Sequence, residues 1–129
     1  MTVRRFVGPL LILHGFLHLL GFLTSWDLID PEGFSRTPTI LPEDLPTGVI
    51  RDIGALWLLG LLAFGLAGYS AIRDYRWWKS LTFGSAVVSL IASIFWIHEA
   101  WTLTIVNIII IALIVRSWYL QTAPHEGEA

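Results

Sequence analysis

The segment FVGPLLILHGFLHLLGFLTS, residues 6–25, is a continuous apolar run that contains two histidines. A helix that crosses a bilayer needs about 20 predominantly apolar residues. Three further segments of this kind follow, at residues 53–72, 81–98 and 103–120. The chain of 129 residues is 55% hydrophobic and 14% charged, which is too apolar for a soluble domain. The sequence therefore predicts an all-α polytopic membrane protein, one domain built as a bundle of four transmembrane helices.

Two of these segments allow another interpretation. TIVNIIIIALIV, residues 104–115, is rich in β-branched residues that favour a strand in water. In lipid an unpaired strand leaves backbone polar groups without partners, so we expect a helix. The N-terminal MTVRR and the apolar run after it also fit a cleavable signal peptide. The run is long and no A-x-A-like site follows it, so we expect the first span to be retained.

The placement of basic residues predicts the topology. Lys and Arg near the ends of spans favour the cytoplasmic side. Two arginines fall on one face of the predicted bundle, Arg36 and Arg51, and six basic residues on the other: Arg4, Arg5, Arg73, Arg76, Lys79 and Arg116. We therefore expect a multi-pass protein of a prokaryotic cytoplasmic (inner) membrane, with both termini in the cytoplasm.

The connections between the predicted spans differ in length and charge. Residues 26–52 form a long, acidic, extracytoplasmic loop in which four prolines make a long helix unlikely to form. A loop of this length is usually functional or flexible, and the simpler alternative is a solvated loop folded over the bundle. EAWT, residues 99–102, predicts a tight antiparallel hairpin between the last two spans. Residues 121–129 read as a disordered cytoplasmic tail.

Small residues indicate which faces of the spans pack together. Helices approach closely in membranes where small residues recur at spacings of about four. Three such groups predict helix packing: Gly21 on the first span, Gly60, Ala63 and Ala67 on the second, and Ser85, Ser89 and Ser93 on the third.

Polar side chains concentrate in the extracytoplasmic half of the predicted bundle. His14 and His18 lie one helical turn apart on one face of the first span. At 1.5 Å per residue, the predicted depths are about 10 Å for His18, 16 Å for His14 and 6 Å for Asn107. We expect a polar ligand pocket open to the outside, formed from eight candidate residues: His14, His18, Arg51, Asp52, Trp57, His98, Glu99 and Asn107.

Three interpretations of this pocket stay open. In the first, the side chains only hydrogen-bond across helices, at about 1 kcal/mol each. In the second, they bind a quinone, a haem or a metal, with His14, His18, His98 and Glu99 as metal ligands. The His-x-x-x-His spacing lacks the glutamate of an H-E-x-x-H zinc site, and a depth difference of about 10 Å between His18 and His98 disfavours haem. In the third, the histidines relay protons.

The chain resembles the small four-span prokaryotic membrane proteins described as DoxX-like. Three segments carry the resemblance: the histidine segment quoted above, IRDIGALWLLGLLAF and TIVN. The resemblance implies a four-helix bundle and marks nine residues: His14, Gly15, His18, Gly21, Arg51, Gly54, Trp57, Trp96 and Asn107. Some DoxX relatives are linked to quinone-dependent sulfur redox complexes, but no catalytic residue can be carried over. The family usually has Gly-Thr before the Asn, where this chain has Leu103 and Thr104.

These observations favour an accessory or ligand-binding membrane component over a self-sufficient enzyme. No catalytic motif is present, so no catalytic residue is assigned and enzymatic activity is left open. The absence of cysteine excludes thiol redox chemistry. A membrane redox protein and a small oligomeric transporter are the alternatives, although the acid that small multidrug transporters carry in their first span is missing. We expect the lipid bilayer, a second copy or a larger membrane complex as partners, and no nucleic acid.

Overall fold

The computed structural model describes residues 3–122, with side chains for residues 5–121. It contains four helices, α1 (Val3–Ser25), α2 (Thr47–Ile72), α3 (Trp78–Phe95) and α4 (Ile97–Thr122). Each helix is long and apolar enough to cross a membrane, as predicted. Residues 121 and 122 still belong to α4, and the rest of the predicted tail lies outside the described residues.

Two helix boundaries differ from the sequence prediction. α2 begins at Thr47, six residues before the predicted span, directly after Pro46. The chain leaves α3 at Trp96, and Ala100, within the predicted connection, is a second non-helical residue with φ −106° and ψ 20°, so residues 97–99 form one turn before this kink. Glu99 therefore occupies the first turn of α4, where the positive end of the helix dipole favours a carboxylate.

Backbone packing is extensive between helices that are neighbours in the sequence: α1 with α2, α2 with α3, and α3 with α4. Glycines bring α1 and α2 together. A Cβ atom on Gly68 would lie 2.5 Å from the carbonyl oxygen of Gly8, and one on Gly21 would lie 2.5 Å from the ring of Trp57. Such contacts leave no room for a side chain, so these glycines fix the approach of the two helices.

The bundle has two ends, which we name by the chain segments they hold. The loop end holds the α1–α2 loop, residues 26–46, and the α3–α4 connection; the terminal end holds the start of α1, the end of α4 and the α2–α3 connection. Two clusters of buried apolar residues fill the interior. Leu11, Phe64, Ala67 and Ala86 form the cluster nearer the terminal end, and Trp57, Ala92, Trp96 and Ala100 form the one nearer the loop end.

The α1–α2 loop is folded over the loop end of the bundle, and it contains no helix or strand. The backbone N–H of Ile40 donates to the carbonyl oxygen of Phe95 at 3.4 Å, and Trp96 Nε1 donates to the carbonyl oxygen of Ser35 at 2.9 Å. Phe34 packs edge-on against Trp57, with ring centroids 6.0 Å apart. These contacts attach the loop to α2, α3 and the break before α4.

Candidate functional site

Four buried polar side chains from three helices meet between the two apolar clusters. His14 and His18 project from α1, Ser89 from α3 and Asn107 from α4. The exposed fraction is 9% for His14 and 0% for the other three. We call these four residues the histidine network.

A directed series of hydrogen bonds connects the histidine network. His18 Nδ1 lies 3.1 Å from the carbonyl oxygen of His14, which can only accept, so His18 carries its proton on Nδ1. His18 Nε2 then accepts from Ser89 Oγ at 2.5 Å. Asn107 Nδ2 donates to Ser89 Oγ at 2.6 Å, and Asn107 Oδ1 accepts from His14 Nε2 at 3.1 Å. His18 is therefore neutral, His14 donates from Nε2, and both Nε2 atoms have partners.

The imidazole rings of the network are also enclosed by other side chains. The His14 ring meets Phe64 edge-on with centroids 4.5 Å apart, and the His18 ring lies 5.6 Å from Trp57. Gly60 of α2 lies directly beside His18, since a Cβ atom there would be 2.5 Å from His18 Cδ2. The sequence placed Gly60 only on a packing ridge, whereas the structure shows that it makes room for the imidazole.

A hydrogen bond holds His14 and Asn107 at one level of the bundle. The predicted span begins at residue 103 and gives Asn107 a depth of about 6 Å, too shallow for His14. In the structure one further helical turn, residues 97–99, precedes the kink at Ala100, so more of the chain lies between the loop end and Asn107 than predicted. The 3.1 Å distance between His14 Nε2 and Asn107 Oδ1 shows that the two side chains meet.

The eight candidate pocket residues fall in different places. His14, His18 and Asn107 belong to the histidine network, and buried Trp57 lies next to it. The other four lie nearer the loop end: Arg51 and Asp52 are exposed at the start of α2, Glu99 is half-buried, and exposed His98 lines a polar cavity of about 310 Å³ together with Glu43 and loop hydroxyls.

The four residues predicted as metal ligands lie in two separate parts of the bundle, the histidine network and the loop end. His14 and His18 donate or accept within the network, while His98 lies beyond the end of α3. Ser89 is six residues before that end, which separates the network from His98 by at least about 9 Å along the helix axis. Among the described residues, no three His, Cys, Asp or Glu side chains are grouped as a metal site requires.

Ser89 is the network residue whose role the sequence interpretation missed. Its spacing places it on the small-residue ridge of α3 with Ser85 and Ser93, and all three are buried. Ser85 donates to its own helix at Leu81, and Ser93 Oγ lies 2.9 Å from Thr104 Oγ1 of α4. The depth of Ser89 in the predicted span is the signal that could have identified it. Ser89 lies nine residues, or about 14 Å, below residue 98, and this value falls between the predicted depths of the two histidines.

The fold and the network define a four-helix bundle with apolar, membrane-length helices and a buried polar centre. Comparisons with protein-family models, with curated proteins and with solved structures found no match to this chain. The resemblance to DoxX-like proteins therefore stays a prediction, and function has to be argued from the geometry of the site.

Proposed function

We propose that this protein is an accessory component of a membrane complex, whose buried histidines specify how its helices pack. The supporting observation is the pairing within the histidine network. Binding a metal or haem through either Nε2 would break a bond to Asn107 or Ser89 and leave a buried polar group without a partner. Interhelical hydrogen bonds of neutral side chains are the normal means of fixing helix contacts in a membrane.

Proton transfer fits this network less well than a packing role. A relay across the membrane needs a continuous series of groups that can both accept and release a proton. The Asn107 amide separates His14 from Ser89, and an amide is a poor proton carrier. Toward the terminal end, the hydroxyls of Thr82 and Ser85 donate to carbonyl oxygens of their own helix. These bonds do not extend the network.

An accessory component needs a surface for its partner, and the small-residue ridges do not provide one. Ser85, Ser89, Ser93, Gly60 and Ala67 are buried inside the bundle. The α1–α2 loop is the stronger candidate, because it carries five acidic residues and one arginine. Arg36 pairs with Asp27 at 3.2 Å, and four exposed carboxylates are left for a basic partner surface: Asp30, Glu32, Glu43 and Asp44.

The distribution of basic residues supports the proposed orientation in a prokaryotic inner membrane. The described basic residues at the terminal end are Arg5, Arg73, Arg76, Lys79 and Arg116, and only Arg36 and Arg51 lie at the loop end. By the positive-inside rule, the termini face the cytoplasm and the acidic loop faces outward. The partner surface would then be extracytoplasmic.

Cross-linking in native membranes, followed by purification of the tagged chain, tests the proposal. We expect the same partner protein with the wild-type chain and with Asp27→Asn, whose carboxylate is already paired within the loop. A variant with amides at the four exposed carboxylates should lose most of this partner. A partner recovered equally from both variants would refute the loop as the partner surface.

The role of the histidines is tested on the purified protein by metal analysis and a visible absorption spectrum. The packing role predicts no stoichiometric metal and no haem absorption. It also predicts that His18→Gln stays folded more fully than His18→Leu, because an amide oxygen can still accept from Ser89. A metal or haem that is present in the wild type and lost in a folded His18→Gln variant would contradict the proposal.

A second candidate function, binding of a quinone, is favoured by one observation. Trp57 is 0% exposed, and its Nε1–H has no acceptor among the described residues. A buried donor without a partner lowers the stability of the fold. The carbonyl oxygen of a quinone next to His18 would accept a hydrogen bond from this N–H. If a quinone binds here, Trp57→Phe should weaken retention of added ubiquinone. If none binds, the same change should leave ubiquinone retention unchanged.

A further inference from the structure

An apolar groove opens at the terminal end of the bundle, away from the histidine network. It has a volume of about 220 Å³ and is lined by side chains of α1, α3 and α4. Leu11 in this lining is buried, whereas Leu113 is 58% exposed. The groove therefore runs from the interior of the bundle to its lipid-facing surface.

The groove exists because α1 and α4 do not pack extensively against each other. The hydrogen bond between His14 and Asn107 joins these two helices near the bundle centre. Leu11 and Ile110, which line the groove, lie three residues from His14 and Asn107 respectively, one turn closer to the terminal end. The two helices leave a space beyond this bond, and α3 forms its back wall.

Polar groups in the groove lining are concentrated where α3 begins. Lys79, the second residue of α3, is half-buried in the lining, and no described carboxylate lies within ion-pair distance of it. The first turn of α3 contains no acidic residue, and Trp77 supplies no side-chain cap. The ammonium group and the positive end of the helix dipole therefore act in the same direction, and both favour an anion.

We propose that this groove binds one acyl chain of an anionic phospholipid, with the lipid phosphate at Lys79. The groove reaches from the start of α3 to Leu11, which lies eight residues, or about 12 Å, from the start of α1. An apolar space that begins at the membrane interface and carries an unpaired cation at its mouth matches a lipid with a negative headgroup. Exposed Arg5 and Arg116 at the same end add to the attraction.

Native mass spectrometry of the purified, delipidated protein tests the headgroup. The protein is mixed with equal amounts of phosphatidylglycerol and phosphatidylcholine that carry identical acyl chains. We expect phosphatidylglycerol adducts to dominate, and Lys79→Gln to lower this preference about fivefold, the effect of one basic residue at a membrane surface. Arg73→Gln is the matched control, because Arg73 is exposed at the same end and does not line the groove. It should lower the preference much less than Lys79→Gln does.

A second pair of variants tests the acyl chain. Ser117 lines the groove, and its hydroxyl donates to Ile114 of its own helix, so Ser117→Phe fills the space without removing an interhelical bond. It should abolish phosphatidylglycerol retention, whereas Ser80→Phe, at an exposed position outside the groove, should preserve it. Excess glycerol phosphate should not displace the lipid.

Four results would overturn the proposal. These are equal retention of the two lipids, equal losses in Lys79→Gln and Arg73→Gln, full retention in Ser117→Phe, and displacement by glycerol phosphate. The last result would indicate a phosphate site without an acyl-chain groove. All of these measurements are independent of the partner protein and of the state of the histidines.

Discussion

Replacing Asn107 with leucine is the sharpest perturbation of the histidine network. The Asn107 side chain accepts from His14 and donates to Ser89, and it is 0% exposed. Leucine has the same branching and the same number of side-chain heavy atoms, so the change removes two interhelical hydrogen bonds and leaves no empty space. Each such bond contributes about 0.6–2 kcal/mol in a membrane. We expect Asn107→Leu to lower the free energy of unfolding by about 2 kcal/mol.

A double-mutant cycle with His14→Leu measures the bond between the two residues. In either single variant one polar group loses its partner, whereas in the double variant both groups are absent. We therefore expect the double variant to lose about 1 kcal/mol less than the sum of the singles, measured by unfolding in mixed detergent micelles. Ser117→Ala, whose hydroxyl bonds only to its own helix, is the control and should change stability by less than about 0.5 kcal/mol. Losses that add to within about 0.3 kcal/mol would refute a direct bond between His14 and Asn107.

Two further predictions concern the surroundings of the network. Gly60→Ala should destabilise the bundle by about 1–3 kcal/mol, because its Cβ atom would overlap the His18 ring, whereas Gly65→Ala meets open space and should be neutral or stabilising in the same unfolding assay. A similar loss in both glycine variants would contradict this reasoning. Trp96→Phe removes a hydrogen bond to the α1–α2 loop and should raise amide hydrogen exchange there, while Arg36→Gln breaks only a partly exposed ion pair and should raise it less. Unchanged loop exchange in Trp96→Phe would show that this bond does not hold the loop.

The sequence was sufficient to predict the four helices, because continuous apolar runs of membrane length have few other structures available to them. The predicted connection at residues 99–102 contains the non-helical Ala100, but hydropathy does not reveal the end of α3 at Trp96 or the helical turn that follows it. Glu99 is charged and resembles part of a connection, whereas the first turn of a helix accepts a carboxylate. Without this turn the predicted depth of Asn107 is too shallow, and its contact with His14 is not expected.

The site was only partly predictable for a related reason. A helical period identified the face that His14 and His18 share, but it gave no information about which neighbour that face meets. From the sequence, Ser89 is one of three equivalent small residues, and only its hydrogen bonds to His18 of α1 and Asn107 of α4 distinguish it. The α1–α2 loop has no periodic pattern, so its attachment to Phe95 and Trp96 depends on tertiary contacts alone.

¹⁵N NMR of the histidine side chains in the lipid-embedded protein shows directly whether the two histidines are neutral groups held in one directed network. We expect two different tautomers, with the proton on Nδ1 in His18 and on Nε2 in His14, and slow exchange of both protons with water. His18→Gln and Asn107→Leu assign the two signals. A cationic ring, a metal-shifted Nε2 resonance, or a proton on Nε2 of His18 would contradict it.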